Sequence, residues 1–320
     1  MILAPALALA AAPPPIAGGT ETNDWDEVVL VVLVDDDDYM LGTCTGTLID
    51  PEWVLTAAHC VYPSSGFAPS SAFVAFVDDW EVSNSRNTDE ALSLVYHPDY
   101  DPNTSENDVA LLELGAARTE PTAALYTGST SQAEDYGRAY TIVGFGASGW
   151  SDSSGELIKR TVDVELSKVD DTFIYTEDAQ GSANGCFGDS GGPLFRVHSV
   201  TGEYAVAGVM SWVSGCEGGS MGSVRTSSVV DWIHSYVPEV DLVTEMDDGP
   251  VDNPDEEAPG LVAGGQPVEP NGVGCASVPV SIPGLVLPLL AITRRPPTQR
   301  GVSSPSGWAS GSRGRSSKPS

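Results

Sequence analysis

The sequence predicts an all-β protein closed by one short C-terminal helix. Gly (34) and Pro (24) are plentiful in its 320 residues, as many short strands joined by turns require. Apolar runs of strand length recur with Gly, Asn, Ser and Asp clusters between them. Helical spacing is convincing only over Ser228 to Val237, where Val229, Trp232, Ile233 and Tyr236 recur on one face.

Met1 to Ala12 is apolar and ends in small residues, the pattern that signal peptidase reads, although no Lys or Arg precedes it. The competing reading is a buried first strand, for which an Ala-rich run is poorly suited. Residues 1–15 are therefore expected to be a signal peptide and short pro-segment. Residues 16–237 read as one folded region. Val28 to Val34 is a continuous apolar strand, followed by Asp35 to Asp38, a solvated turn. Further strands are expected around Cys44 to Ile49, Trp53 to Leu55, Ala72 to Val77, Leu92 to Tyr96, Val109 to Leu114, Tyr140 to Phe145 and Tyr204 to Trp212. No internal repeat stands out.

From Glu239 to Glu269 there are ten acidic residues, no bases and several prolines, too little apolar surface to offset chain entropy. Residues 238–274 are thus expected to be an acidic disordered linker. Residues 275–295 comprise Cys275, an apolar stretch and Arg294-Arg295. This arrangement is similar to the sorting signals of some secreted bacterial proteins, which implies anchoring at the membrane or cell surface with Arg294-Arg295 as the inner flank; the bland alternative is an apolar patch in a loose tail. Residues 296–320 form a basic Ser/Gly/Pro-rich tail.

Charge narrows the partners. The chain carries 45 acidic and 14 basic residues, a net of −31, and six of the bases lie from Arg294 onward. Such a surface repels nucleic acid and anionic lipid, so no nucleic-acid partner is expected. The surplus serves solubility or the steering of cationic substrates; composition alone leaves both open. None of the five cysteines falls in a C-x-x-C pair, so neither a zinc site nor a redox pair is expected, and no cofactor is implied. Four of them could form two disulfides, leaving one over, which points to an oxidising compartment.

The chemistry is concentrated in three short segments. Gly188-Asp189-Ser190-Gly191-Gly192-Pro193 flanks a serine with glycines, letting the backbone turn tightly and expose the hydroxyl. A serine hydroxyl needs an adjacent base to act as a nucleophile. Thr56-Ala57-Ala58-His59-Cys60 places one of only four histidines in a small-residue turn. Asn107-Asp108-Val109-Ala110-Leu111-Leu112 opens a buried strand with an acid, where it can be desolvated yet hydrogen-bonded. Each has a bland reading alone: a Gly-Ser loop, a packing histidine, a strand-capping aspartate.

Together and in this order, T-A-A-H-C, N-D-V-A-L-L and G-D-S-G-G-P resemble the chymotrypsin/trypsin family of serine peptidases across Ile16 to about Val237. The resemblance implies two antiparallel β-barrels with a short C-terminal helix, and hydrolysis of peptide bonds in protein or peptide substrates by a secreted, monomeric endopeptidase. It assigns His59 as general base, Asp108 as its orienting partner and Ser190 as nucleophile. The N–H groups of Gly188 and Ser190 form the oxyanion hole. Ser211 supports Asp108 and begins the substrate-pairing strand with Trp212 and Val213. The implied disulfides are Cys44–Cys60 and Cys186–Cys216.

Ile16-Ala17-Gly18-Gly19 resembles the family's mature N-terminus, whose ammonium pairs with the acid before the nucleophile, here Asp189. Pro15 departs from the Arg or Lys usual before it. At the expected base of the specificity pocket stands Asn184 rather than an acid, and Val213 replaces a common glycine. The expected preference is a small or medium uncharged residue before the scissile bond, with Asn184→Asp admitting Arg and Lys. Two other functions compete. An inactive homologue used as a binding module would be expected to lack a triad residue, and none is missing; a surface adhesin would give the tail the leading role. Labelling by a serine-directed phosphonate separates the enzyme from both.

Overall fold

A computed structural model describes residue 16 and residues 19–246, apart from short segments at 65–66, 82–86, 132–134, 136–137, 148–156, 178–183, 199–200 and 217. The expected signal segment (1–15), sorting segment (275–295) and tail (296–320) lie outside the described residues.

Two six-stranded barrels dominate. The first is built from β2 (Val28–Val34), β3 (Met40–Asp50), β4 (Trp53–Thr56), β5 (Ser71–Ala75), β6 (Thr88–Tyr96) and β7 (Ala110–Leu114), closed in the order β2-β3-β4-β7-β6-β5. The second uses β9 (Ala139–Gly144), β10 (Arg160–Val169), β11 (Phe173–Glu177), β12 (Pro193–Val197), β13 (Tyr204–Val213) and β14 (Met221–Arg225). Its strands run β9-β10-β11-β14-β13-β12, and the β12–β13 pairing closes it. Both barrels therefore follow the same order, first-second-third-sixth-fifth-fourth, although the sequence shows no repeat. Three two-residue strands are appended to the second sheet: β1 (Thr20–Glu21) on β10, and β8 (Leu125–Tyr126) and β15 (Leu242–Val243) beside β13.

The apolar run of β2 is buried along its whole length because it serves two cores. Val29, Val31 and Leu33 point into the first barrel with Leu48, Val54 and Leu112. The alternate residues Val28, Leu30 and Val32 join Leu111, Val143, Phe145, Phe195 and Val209 in a cluster that spans both barrels. The second barrel has its own interior, including Tyr140, Ile142, Leu194, Met210 and Met221. Helix α1 (Ala58–Val61) is one turn after β4, and α2 (Thr226–Tyr236) lays Val229 and Ile233 on the shared cluster.

The expected linker starts too early. Residues beyond Val237 continue to pack: β15 pairs in parallel with β8, Val240 and Met246 are buried, and Arg196 donates to the Met246 carbonyl at 3.2 Å. Acidic composition concealed this, because Asp241 and Glu245 alternate with the residues that turn inward. A chain ended at Val237 should therefore be less stable than one ended at Met246 by roughly 2–4 kcal/mol, the cost of losing two buried side chains and one of the Arg196 hydrogen bonds. Thermal melts of the two chains measure it; equal midpoints would show that the segment contributes nothing.

Candidate active site

The three chemical segments meet between the barrels. Small residues bring the histidine close: Ala57 and Ala58 are fully buried, and α1 holds His59 one residue before Cys60. Asp108 precedes β7 in a turn where Asn107 adopts φ 55°, a backbone region that Asn tolerates better than most residues. Its carboxylate is 1% exposed. One oxygen, Oδ2, lies 2.7 Å from His59 Nδ1 and accepts the Ser211 hydroxyl at 2.5 Å; the other, Oδ1, accepts the His59 backbone N–H at 2.8 Å. A buried charge is tolerable only when so satisfied. Ser211, expected beside Asp108, lies within hydrogen-bond distance of it.

Ser190 sits in the loop between β11 and β12, and it lines a cleft of about 290 Å³ together with His59, Cys186, Phe187, Met210, Ser211, Trp212 and Val213. Hydrogen bonds fix the loop. The Phe187 carbonyl accepts Ala147 N–H at 2.7 Å, the Ser190 carbonyl accepts Thr45 N–H at 2.8 Å, and the Asp189 carbonyl accepts Gly192 N–H at 2.9 Å. Gly188 and Gly191 have φ of 98° and 82°, and a Cβ on Gly191 would lie 2.5 Å from the Thr45 carbonyl, so glycine is required there. Cys44–Cys60 joins β3 to α1, and Cys186–Cys216 ties the serine loop to the segment after β13. Closing the 16-residue separation of the first bridge contributes about 3 kcal/mol on a chain-entropy basis.

Asn184 is not among the residues lining the cleft. It is fully buried, and its amide donates to the Gly215 and Gly219 carbonyls at 3.1 and 2.8 Å while its Oδ1 accepts Gly185 N–H at 3.0 Å. The space over the neighbouring Gly185 is taken by three side chains: a Cβ there would meet Met221 Sδ at 2.9 Å, Met210 Sδ at 3.3 Å and Val213 Cγ1 at 3.7 Å. The expected pocket base is therefore a structural amide. Val213 and Trp212 do line the cleft, the indole packing 5.8 Å from Tyr175. Met210, Met221 and Phe187 went unremarked in the sequence; Met210 and Phe187 directly precede Ser211 and Gly188, an adjacency that could have flagged them.

Ile16 is fully buried in the interior cluster of the second barrel, and its carbonyl accepts Gly19 N–H at 2.6 Å. Asp189 is 1% exposed, its carboxylate accepting N–H from Gly146 and Cys186, each at 2.8 Å. Burial pushes its pKa from the ordinary 3.8 up to about 7, which these bonds and the Arg160 guanidinium only partly oppose. Among the described residues, Cys44, His59 and Cys60 are the one cluster of metal-ligating type, and both cysteines are consumed by their disulfide. Also among the described residues, no helix is long and apolar enough to cross a membrane.

While residue 16 stays peptide-bonded to Pro15, the folded Asp189 keeps its proton to about pH 7, whereas unfolded it releases it near 3.8. The native state then binds the extra proton between these values, so raising pH across that window should lower stability, by up to about 4 kcal/mol. Carboxyl ¹³C titration of the uncleaved chain should give a midpoint near 7; one near 4 would contradict it.

Comparison with known proteins places this geometry. The trypsin family model matches residues 16–233. Mouse (Mus musculus) transmembrane protease serine 7 is 28% identical over 215 residues, covering 62% of this chain and 26% of its own length. Chicken (Gallus gallus) urokinase-type plasminogen activator is 27% identical over 224 residues, covering 62% of this chain and 51% of its own length. The chain thus spans between about a quarter and a half of the curated relatives it matches, and those named are animal proteins, so they lend no support to a bacterial sorting signal. A solved structure of HL collagenase superposes with a TM-score of 0.54 at 24% identity, covering 69% of this chain and 96% of that one, a likeness of fold. The chain belongs to the trypsin family.

Proposed function

We propose that the chain is a serine endopeptidase acting on proteins or peptides through His59, Asp108 and Ser190. The observation that carries this is the buried Asp108 carboxylate bonded to His59 Nδ1, with His59 and Ser190 facing one cleft. Asp108 holds the proton on Nδ1, leaving Nε2 as base. Ser190 Oγ attacks the scissile carbonyl carbon as its proton passes to Nε2, and the carbonyl oxygen becomes an oxyanion. Because a peptide is planar and trans, the bonds on the Phe187 and Asp189 carbonyls aim the Gly188 and Ser190 N–H groups the opposite way, suited to that oxyanion. Nε2 then protonates the leaving amine, giving an acyl-enzyme, and water repeats the sequence to release the acid and restore Ser190.

The same reading makes Ile16 the first residue of the mature form, its ammonium pairing with Asp189. The acidic titration near neutrality described above should then disappear on cleavage before Ile16, because a buried cation favours the ionised carboxylate.

Ser190→Ala should lower kcat about a million-fold and abolish phosphonate labelling, and Asp108→Asn should cost about 10⁴-fold through the wrong tautomer. Peptide hydrolysis by Ser190→Ala at near wild-type rate would refute the assignment.

Specificity follows from the filled pocket. With Met210, Met221 and Val213 crowding Gly185, the side chain before the scissile bond has room to be small and uncharged, such as Ala or Val. Met221→Gly with Val213→Gly should raise kcat/KM for Phe and Tyr substrates at least about tenfold, each methylene removed being worth about 1–3 kcal/mol. Asn184→Asp should behave differently from the sequence expectation: its carboxylate would face two carbonyl oxygens, destabilising the loop by roughly 2–4 kcal/mol without admitting Arg or Lys. Peptide-library profiles and melts of the variants test both statements; brisk cleavage after Arg by Asn184→Asp would refute the second.

A further inference from the structure

Thr45 lies in β3 of the first barrel, fully buried, outside the three motifs that mark the site. All of its polar atoms are engaged. Its hydroxyl donates to the Gly188 carbonyl at 2.9 Å and accepts Phe145 N–H at 3.1 Å. Its backbone N–H donates to the Ser190 carbonyl at 2.8 Å, and its own carbonyl accepts the Thr56 hydroxyl at 2.8 Å. One residue thus grips the carbonyls of the two residues whose N–H groups are assigned to the oxyanion, and it does so from the opposite barrel.

We propose that Thr45 is a positioning residue for the oxyanion hole, its hydroxyl fixing the peptide plane between Gly188 and Asp189. That plane lies between the two donor N–H groups, so a turn about it moves at least one of them. Gly188 has a φ of 98° and no side chain to resist such a turn. Within the loop, the Asp189 N–H of this plane donates to the Cys186 carbonyl at 3.1 Å, and the carbonyl edge of the plane, at Gly188, is held from outside the loop by Thr45. A hydroxyl that both donates to Gly188 and accepts from Phe145 also ties the loop to the end of β9, where Gly146 and Ala147 hold the Asp189 carboxylate and the Phe187 carbonyl. An oxyanion donor displaced by an ångström loses most of its benefit, because the hydrogen bond must be made where charge develops.

The inference rests on the proposed Ser190 chemistry, and the experiment separates the two. Thr45→Val keeps the side-chain shape and removes the hydroxyl; Thr45→Ser keeps the hydroxyl. Rates are referred to active sites titrated with a serine-directed phosphonate. Thr45→Val should lower kcat about 10- to 100-fold with KM changed less than about threefold, and should weaken a peptide aldehyde, which forms the tetrahedral adduct, by a similar factor. Thr45→Ser should restore kcat to within a few-fold. If Thr45→Val fails to fold, Thr45→Ala, which removes the same hydroxyl with less bulk, carries the same expectation. A hydroxyl-free variant with wild-type kcat per titrated site, or one altered in KM alone, would overturn the inference. Wild-type protein inert to the phosphonate would overturn the reading of Ser190, and this inference with it.

Discussion

One buried carboxylate sets the terms on which the two barrels meet. Asp108 enters from the first barrel with 1% of its surface exposed, and a charge so placed costs several kcal/mol unless every oxygen is satisfied. Its donors come from both sides of the seam: His59 from α1 in the first barrel and the Ser211 hydroxyl from β13 in the second. Apolar packing in the shared cluster brings the barrels together but is indifferent to small slips. The hydrogen bonds to Asp108 are not, and so they select the register in which His59 and Ser190 look into one cleft.

A second buried carboxylate obeys the opposite logic. Asp189 receives two N–H bonds and no adjacent cation within bonding distance among the described contacts, so burial dominates and the proton is retained to about pH 7. Gly144 and Gly146 make the cradle possible, since a Cβ on Gly146 would fall 2.5 Å from the carboxyl carbon. Asp108 thus receives three donors, two of them from side chains, whereas Asp189 receives two backbone N–H bonds. The two acids differ in sequence context, an apolar strand after one and glycines around the other, and they differ also in what the tertiary structure brings to them.

That difference also explains what could be read in advance. The residues of the cleft centre were legible because their chemistry depends on local features: small residues before His59, glycines around Ser190, an apolar strand after Asp108. Strand β2 was legible because burial on both faces leaves an unbroken apolar run. Strand β10 went unread although Val162, Val164 and Leu166 alternate with Asp163 and Glu165, the pattern of a half-buried strand. The pocket was misjudged at Asn184 because its depth depends on how β13 and β14 pair across the bulge between Met210 and Trp212, a register that no short motif encodes. Thr45 was silent for the same reason: its partners lie about a hundred or more residues away.

The repeated strand order of the barrels gives this pattern a structural cause. Each barrel closes on its own interior, so its inward residues answer only to local alternation and are readable strand by strand. Residues on the outer faces that meet at the seam answer to a partner whose position is fixed by the other barrel, and their identity makes sense only after docking. Thr45 belongs to this second class: on an outer strand face a threonine would serve as well as any β-former, but at the seam its buried hydroxyl meets the Gly188 carbonyl and the Phe145 N–H. The cleft is therefore composed twice, once from short local motifs and once from dispersed seam residues that bond to them.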